Sequence, residues 1–266
     1  MKFLKLSVFA LACLSAVQGR AEAQTQGSSD IPRFLQVITV KVKPAAIAEY
    51  EDYVKKIMAA AVKVGAPQRV VVYQAIMGAP SGTFLASTPF GKWEDVDAWP
   101  TIPTMLNKAY GELEGARILK AGRATIDSSE TDVYSMLTDL STNPRTYDPP
   151  TAFVSVTRTE LKPDMAPAYN LILARIRKAE EANPNAPTVI RRTMIEGQAN
   201  VTIASRYFNK FAERSAVPNQ GEVLRKAYGD EEARLIGETS RGATARRDTW
   251  VLAYRADLSK LTSGAQ

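Results

Sequence analysis

The chain says nearly the same thing twice, and this repetition restricts its fold more than any other feature does. Lys43-Pro44 returns as Lys162-Pro163 and Tyr50 as Tyr169, both at a spacing of 119. After a small shortening, Phe90-x-Lys92-Trp93 returns as Phe208-x-Lys210-Phe211, and Lys108-Ala-Tyr-Gly111 as Lys226-Ala-Tyr-Gly229. Both stretches finish on Asp-Leu-Ser, at Asp139 to Ser141 and Asp257 to Ser259. A period this long exceeds a solenoid unit and has the size of a small domain. Residues 34–141 and 153–259 are therefore expected to be tandem copies of one domain. The segment 142–152 joins them, and its three prolines between Asn143 and Pro150 make it a stiff linker.

Within each copy the hydrophobic period changes in a set order. Phe34 to Val42 is rich in Val, Ile and Thr and stops at Pro44, which reads as a strand. Ile47, Tyr50, Val54, Ile57, Ala61 and Val64 then fall on one face of a helix that Gly65 is placed to end. Arg69 to Ile76 and Thr83 to Thr88 read as a hairpin around Gly78-Ala-Pro-Ser-Gly82. A short helix is expected near Trp93, one longer helix over Thr104 to Ala121, and a last strand over Thr131 to Leu137. The second copy repeats the order: strand Phe153 to Glu160, a helix N-capped by Asp164, strands Val189 to Ile195 and Val201 to Phe208, helix Glu222 to Ile236, and strand Thr249 to Arg255.

This β-α-β-β-α-β order is the ferredoxin-like motif, an antiparallel sheet with both helices on one face and the other face bare. A second copy on the same chain is at high effective concentration to cover that bare face. The expected fold class is α+β: two tandem ferredoxin-like βαββαβ repeats packed sheet to sheet as an intramolecular barrel. Here the chain resembles the dimeric α/β-barrel superfamily, in particular its antibiotic-biosynthesis-monooxygenase-like and NIPSNAP-like branches. The residues that carry the resemblance are the strands ending in Lys43-Pro44 and Lys162-Pro163, the amphipathic helices after them, and the aromatic-Lys-aromatic phrases at Phe90 to Trp93 and Phe208 to Phe211. The resemblance implies cofactor-independent oxygenation of an electron-rich phenolic or quinol-type substrate, to be weighed against a non-enzymatic binder of a small molecule and against an interaction protein whose barrel is filled with side chains.

The N-terminus adds a location. Lys2 and Lys5 precede an apolar run from Leu6 to Ala16, and Ala21-Glu22-Ala23 offers a signal-peptidase site, so residues 1–23 read as a signal peptide. A mature chain from Gln24 would begin with a polar leader over 24–33 and end in a tail over 260–266. Export to the periplasm or beyond is expected, with lipidation at Cys13 as the minor alternative. No later stretch is apolar for about 20 residues, so no membrane span is expected.

Absent residue types exclude whole chemistries. The chain has no histidine, and its one cysteine is Cys13. A mature chain then lacks disulfides, thiolate or imidazole metal sites, a Ser-His-Asp triad and histidine-ligated haem. No metal and no cofactor are expected. Charge is uneven: residues 34–141 hold 11 basic and 12 acidic groups, residues 151–260 hold 18 and 13. The basic residues of the second copy are scattered along strands and helices, which argues against nucleic acid and leaves a small anionic ligand open.

Duplication also offers an internal comparison. Residues present in both copies, such as Tyr50 and Tyr169, Tyr110 and Tyr228, or Phe90 and Phe208, serve the packing that both need, and Trp93 is expected in the core with Phe211. A site used by one copy should appear as a difference. Aligned directly, Val71 and Val72 become Arg191 and Arg192, and Thr88 becomes Arg206. Neighbours on a strand face opposite ways; if Met194 and Ile190 face the helices, Arg192 joins them and Arg191 faces the barrel. The candidate ligand site is thus Arg191 or Arg192 with Arg206, against an aromatic wall from Tyr73 or Trp99. Ion pairing is the competing reading for these arginines. The acidic stretches Glu94-Asp95-x-Asp97 and Asp230-Glu231-Glu232 read as helix starts. The protein is expected to be an exported binder of a small molecule, a monomer with an internal pseudo-dimer or a higher homo-oligomer. The oxygenase is the alternative.

Overall fold

A computed structural model describes residues 31–145, 149–183 and 185–261. The expected signal peptide with Cys13, the leader up to residue 30, linker residues 146–148 and the tail from 262 lie outside the described residues. The first half runs β1 (Phe34–Val42), α1 (Ile47–Lys63), β2 (Val71–Met77), β3 (Thr83–Phe90), α2 (Glu94–Asp97), α3 (Ile102–Tyr110), α4 (Glu112–Thr125) and β4 (Ile126–Met136). The second runs β5 (Phe153–Leu161), α5 (Ala166–Glu181), β6 (Val189–Glu196), β7 (Val201–Phe208), α6 (Phe211–Ala216), α7 (Gln220–Tyr228), α8 (Asp230–Ala243) and β8 (Thr244–Tyr254).

The eight strands close into one antiparallel barrel in the order β1-β3-β2-β8-β5-β7-β6-β4. In the first half β1 lies between β3 and β4, and in the second β5 lies between β7 and β8. The halves meet edge to edge as well as face to face. Tyr73↔Tyr254 and Ala75↔Leu252 register one seam, and Tyr134↔Met194 and Met136↔Arg192 the other. Each sheet edge would otherwise carry unpaired backbone groups. Alternation sends every second side chain inward, so Val37, Tyr73, Leu85 and Tyr134 of the first half share an apolar interior with Val154, Met194, Ile203 and Leu252 of the second. The opposite faces carry the helices, with one core under α1 and another under α5.

The helical regions differ from the sequence expectation in an instructive way. In place of one helix over 104–121 there are two, broken at Gly111, and in place of one over 222–236 there are two, broken at Gly229. Both glycines sit at positive φ, 86° and 82°, where a Cβ would be strained. The Lys-Ala-Tyr-Gly phrase is therefore a helix break. The tyrosine before each glycine fastens it: Tyr110 Oη donates to the Lys56 carbonyl and Tyr228 Oη to the Arg175 carbonyl. Splitting the helix region lets one chain segment wrap around α1 or α5.

Three smaller corrections follow from backbone geometry. Asp164 does not cap α5; it lies at φ 62°, and the helix starts after Met165 without a side-chain cap. The last strand of each half begins earlier than expected, because β4 and β8 continue directly from α4 and α8. Trp93 rests on Phe34 and Phe90 but is 46% exposed, so it covers the core instead of filling it.

An ion-pair network reinforces one seam. Arg255, just after β8, donates to Glu51 on α1, to Gln74 Oε1 on β2 at 2.7 Å and to Asp257. Hydrogen bonding to Arg255 lowers the pKa of both Glu51 and Asp257. A carboxylate with a depressed folded pKa adds stability above its unfolded pKa and loses that contribution as pH falls through the folded value. Melting temperature measured from about pH 7 down to about pH 3 should thus fall more steeply for the parent than for Arg255→Gln. Parallel curves would show that the network contributes nothing.

Candidate active cleft of the second half

The two halves run through the same order of elements, yet one is filled where the other is open. On the helix-facing side of the first sheet, Gln36, Ile38 and Val40 of β1 stand opposite Thr88, Ala86 and Phe84 of β3. In the second half the same register places Ser155, Thr157 and Thr159 of β5 opposite Arg206, Ala204 and Thr202 of β7. Phe84 and Val40 are buried in the core under α1; their counterparts Thr202 and Thr159 are too small to fill that space. Tyr53 of α1 also projects into the first core, where a Cβ on Gly122 would come within 2.2 Å of its ring. At the equivalent positions stand Ile172 and Ser240. Replacing large side chains by small ones at fixed backbone leaves a cavity.

The cavity lies between the second sheet and α5, α7 and α8, with a volume of about 480 Å³. This is the size range of small-molecule sites. Ser155, Thr157, Thr159, Thr202 and Thr249 form a hydroxyl-bearing floor, and Tyr169, Leu173 and Phe208 supply apolar and aromatic wall. Arg145, Arg191, Arg206, Arg214 and Arg247 also line it, against one lining carboxylate, Glu213.

Between the floor and the C-terminal end of α5 is a buried charge cluster. Arg191 and Glu180 side chains are 4% and 5% exposed and pair at 2.8 Å. Arg206 donates to the other oxygen of the same carboxylate at 3.2 Å. Thr142 donates its hydroxyl to Glu180, and Arg191 also reaches the Leu140 carbonyl at 2.6 Å. Two guanidinium groups thus share one carboxylate. In the first half these positions are Ala61, Val72 and Thr88, so the cluster belongs to the second half alone.

Strand register revises how the candidate residues were aligned. Val71, Val72 and Tyr73 pair with Ser87, Ala86 and Leu85, as Ile190, Arg191 and Arg192 pair with Ser205, Ala204 and Ile203. Arg191 therefore replaces Val72, and Arg192 replaces Tyr73. Met194 faces the barrel interior, which decides between the two phases that the sequence left open: Arg192 points inward and Arg191 faces the helices. Arg192 is buried, and its Nε and Nη1 have no hydrogen-bond partner among the described residues.

The structure thus brings Arg191 and Arg206 together and separates the rest. Tyr73 lies inside the barrel, 5.9 Å from Tyr254 between ring centroids, and burial raises its phenol pKa. It borders a smaller interior cavity of about 100 Å³, shared with Tyr134, Asp132, Arg158 and Trp250. Burial raises the Asp132 pKa; burial and then the Asp132 charge raise that of Tyr134. Trp99 sits in the first half, edge-on to Phe90 at 5.6 Å. Neither aromatic residue walls the larger cleft, a role taken by Tyr169 and Phe208. Sequence reading missed Glu180, Arg247 and the hydroxyl row. The signal was present: Ser155, Thr157 and Thr159 alternate where the first half has Gln36, Ile38 and Val40.

The described residues contain no group of three or more Asp, Glu, His or Cys placed to hold a metal ion. The acidic stretches act at helix starts, with Asp95 Oδ2 accepting from the Gly91 and Lys92 amides at 3.1 Å each. No helix among the described residues is long and apolar enough to cross a membrane.

Removing the shared carboxylate should expose the dependence. Glu180→Ala leaves Arg191 buried without its counter-charge, and urea unfolding should show a loss of about 3 to 5 kcal/mol. The triple change Glu180→Ala, Arg191→Val, Arg206→Thr recreates the first-half set and should recover most of it. Equal losses in both variants would mean that the pairing is not what Glu180 contributes.

Neither a protein-family model nor a curated protein sequence matches the chain. Solved structures do match in shape. An anthrone oxidase-like protein superposes with a TM-score of 0.53 at 12% identity, over 87% of this chain and 94% of its own. A candidate monooxygenase from Fusobacterium nucleatum subsp. nucleatum gives 0.53 at 12%, over 89% and 98%. A variant chlorite dismutase from Candidatus Nitrospira defluvii, in complex with cyanide, gives 0.50 at 8%, over 85% and 92%. At such identities the likeness is one of fold, and the fold is that of the dimeric α/β barrels, α+β with a closed eight-stranded antiparallel barrel.

Proposed function

We propose that this protein is an exported tandem pair of ferredoxin-like repeats that binds a small organic anion in the cleft of its second half. The observation that carries the reading is the charge of that cleft: five arginines and one carboxylate line it, above a floor of hydroxyls. Among the described residues Arg206 donates to Glu180 through Nη2, which leaves Nε and Nη1 to donate elsewhere. A carboxylate or phenolate placed there would gain charge-assisted hydrogen bonds. The first half supports the same reading by contrast, being filled with apolar side chains at the corresponding positions.

A second reading has its own support. Two structural neighbours are described as an anthrone oxidase-like protein and a candidate monooxygenase. A cationic cleft would favour the ionised, electron-rich form of a phenol, which is the form that reacts with oxygen. Binding is the more economical conclusion, because the cleft's geometry alone accounts for it.

Both readings are tested with one ligand series. Small aromatic acids and phenols should raise the melting temperature of the chain purified from Gln24 onward, with a stabilisation that shrinks as salt is added. Arg206→Gln should weaken the response about tenfold in Kd, equivalent to about 1.4 kcal/mol. An unchanged response would place the site elsewhere. Oxygen uptake measured with the same phenols separates the readings, since uptake above the protein-free rate supports the oxygenase and its absence leaves a binder.

A further inference from the structure

The cleft's cations are not gathered at one point. We infer that its ligand is an elongated dianion, with an acidic group at each end and an uncharged middle; this rests on the anion-binding reading above. The inference comes from strand register. On β5, Ser155 stands beside Arg206, and four residues further along Thr159 stands beside Arg247 on β8. Four residues of strand span about 13 Å, and β7 and β8 flank β5 at about 10 Å from each other. Arg206 and Arg247 therefore occupy diagonal corners of the cleft floor.

Each corner is equipped to take an anion. At the first, Arg206 and Arg191 share a single carboxylate, leaving one net positive charge at the β5 N-terminal end. At the second, the hydrogen bonds of Arg247 all leave from Nη2 and go to hydroxyls: Ser240 Oγ at 3.2 Å, Thr244 Oγ1 at 3.3 Å and Tyr169 Oη at 3.4 Å. No carboxylate pairs with Arg247 among the described residues. Its Nη2 is held in place by neutral groups, while Nε and Nη1 remain to donate.

Between the corners the floor is polar but uncharged. Thr157 and Thr249 hydroxyls lie 3.0 Å apart across β5 and β8, with Thr159 and Thr202 beside them. A single hydroxyl can donate or accept, so this stretch suits hydroxyl, carbonyl or ether oxygens better than a third charge. Tyr169, Leu173 and Phe208 face the floor with apolar surface. A single-headed anion would leave one arginine unused.

The test is isothermal titration of the chain from Gln24 onward with straight-chain dicarboxylates of increasing length, beside monocarboxylates of the same lengths. One intermediate dicarboxylate should bind about tenfold or more tighter than its monocarboxylate. Arg247→Gln and Arg206→Gln should each remove that difference, bringing the dicarboxylate down to the affinity of the monocarboxylate of its length, because either change leaves a single anion-binding corner. Circular dichroism and melting curves establish that each variant is folded. Equal binding of mono- and dicarboxylates, with Arg247→Gln silent, would overturn the two-ended ligand and leave the anion cleft standing. No binding by any folded form would overturn the cleft reading and this inference with it.

Discussion

Closure of the barrel through two strand seams is the constraint on which the rest depends. A four-stranded sheet with helices on one face leaves an apolar face and two edges of unpaired backbone groups. The chain resolves both needs with one contact, since β2 pairs with β8 and β4 with β6 while the inner faces meet. Interior residues from both halves then form one core, in which Tyr73, Tyr134, Val154 and Leu252 are all buried. Neither half could keep that surface from water alone. Because the backbone is fixed in this way, the outer faces under α1 and α5 can differ in side chains without disturbing the frame.

That freedom is used unequally. Under α1 the space between sheet and helices is taken by Tyr50, Tyr53, Phe84 and Ile57. Under α5 the corresponding strands carry serine, threonine and arginine, and the space remains as a cleft. A cleft of this kind costs packing energy, because its lining forgoes dispersion contacts that a filled core would make. The filled half and the shared interior supply stability against which that cost is small. The buried Glu180 cluster adds a second cost, the desolvation of charged groups, and offsets it through its hydrogen bonds to Arg191, Arg206 and Thr142. Its consequence for the cleft is positional, because Arg206 is held at the floor by a partner on α5.

The order of elements was legible in the sequence, since it depends on local period: alternation in Phe34 to Val42, helical spacing from Ile47 to Val64. The helix breaks were harder to see, although Gly111 and Gly229 stood in the repeated phrase. Helical spacing on either side masked a change of direction that depends on one backbone angle. The strand phase at Arg191 and Arg192 could not be read at all. A strand with Val189, Ile190, Arg191, Arg192 and Met194 has no polar face, because the barrel buries both of its sides, and alternation carries no signal when neither face meets water.

By itself the sequence determined that one set of landmarks occurs twice in the same order, that the second stretch is the basic one, and that the chain offers no imidazole and a single thiol, Cys13. These follow from residue identity and spacing. Only the tertiary structure decided that Tyr73 and Trp99 lie away from the arginines, that Glu180 joins Arg191 to Arg206, and that Arg247 stands across the floor from them. Glu180 and Arg191 are 11 residues apart and on different elements, and Arg247 reaches the same cleft from the last strand. Their meeting is set by strand register and by which face of the sheet each helix covers, and neither is encoded in any local stretch of the chain.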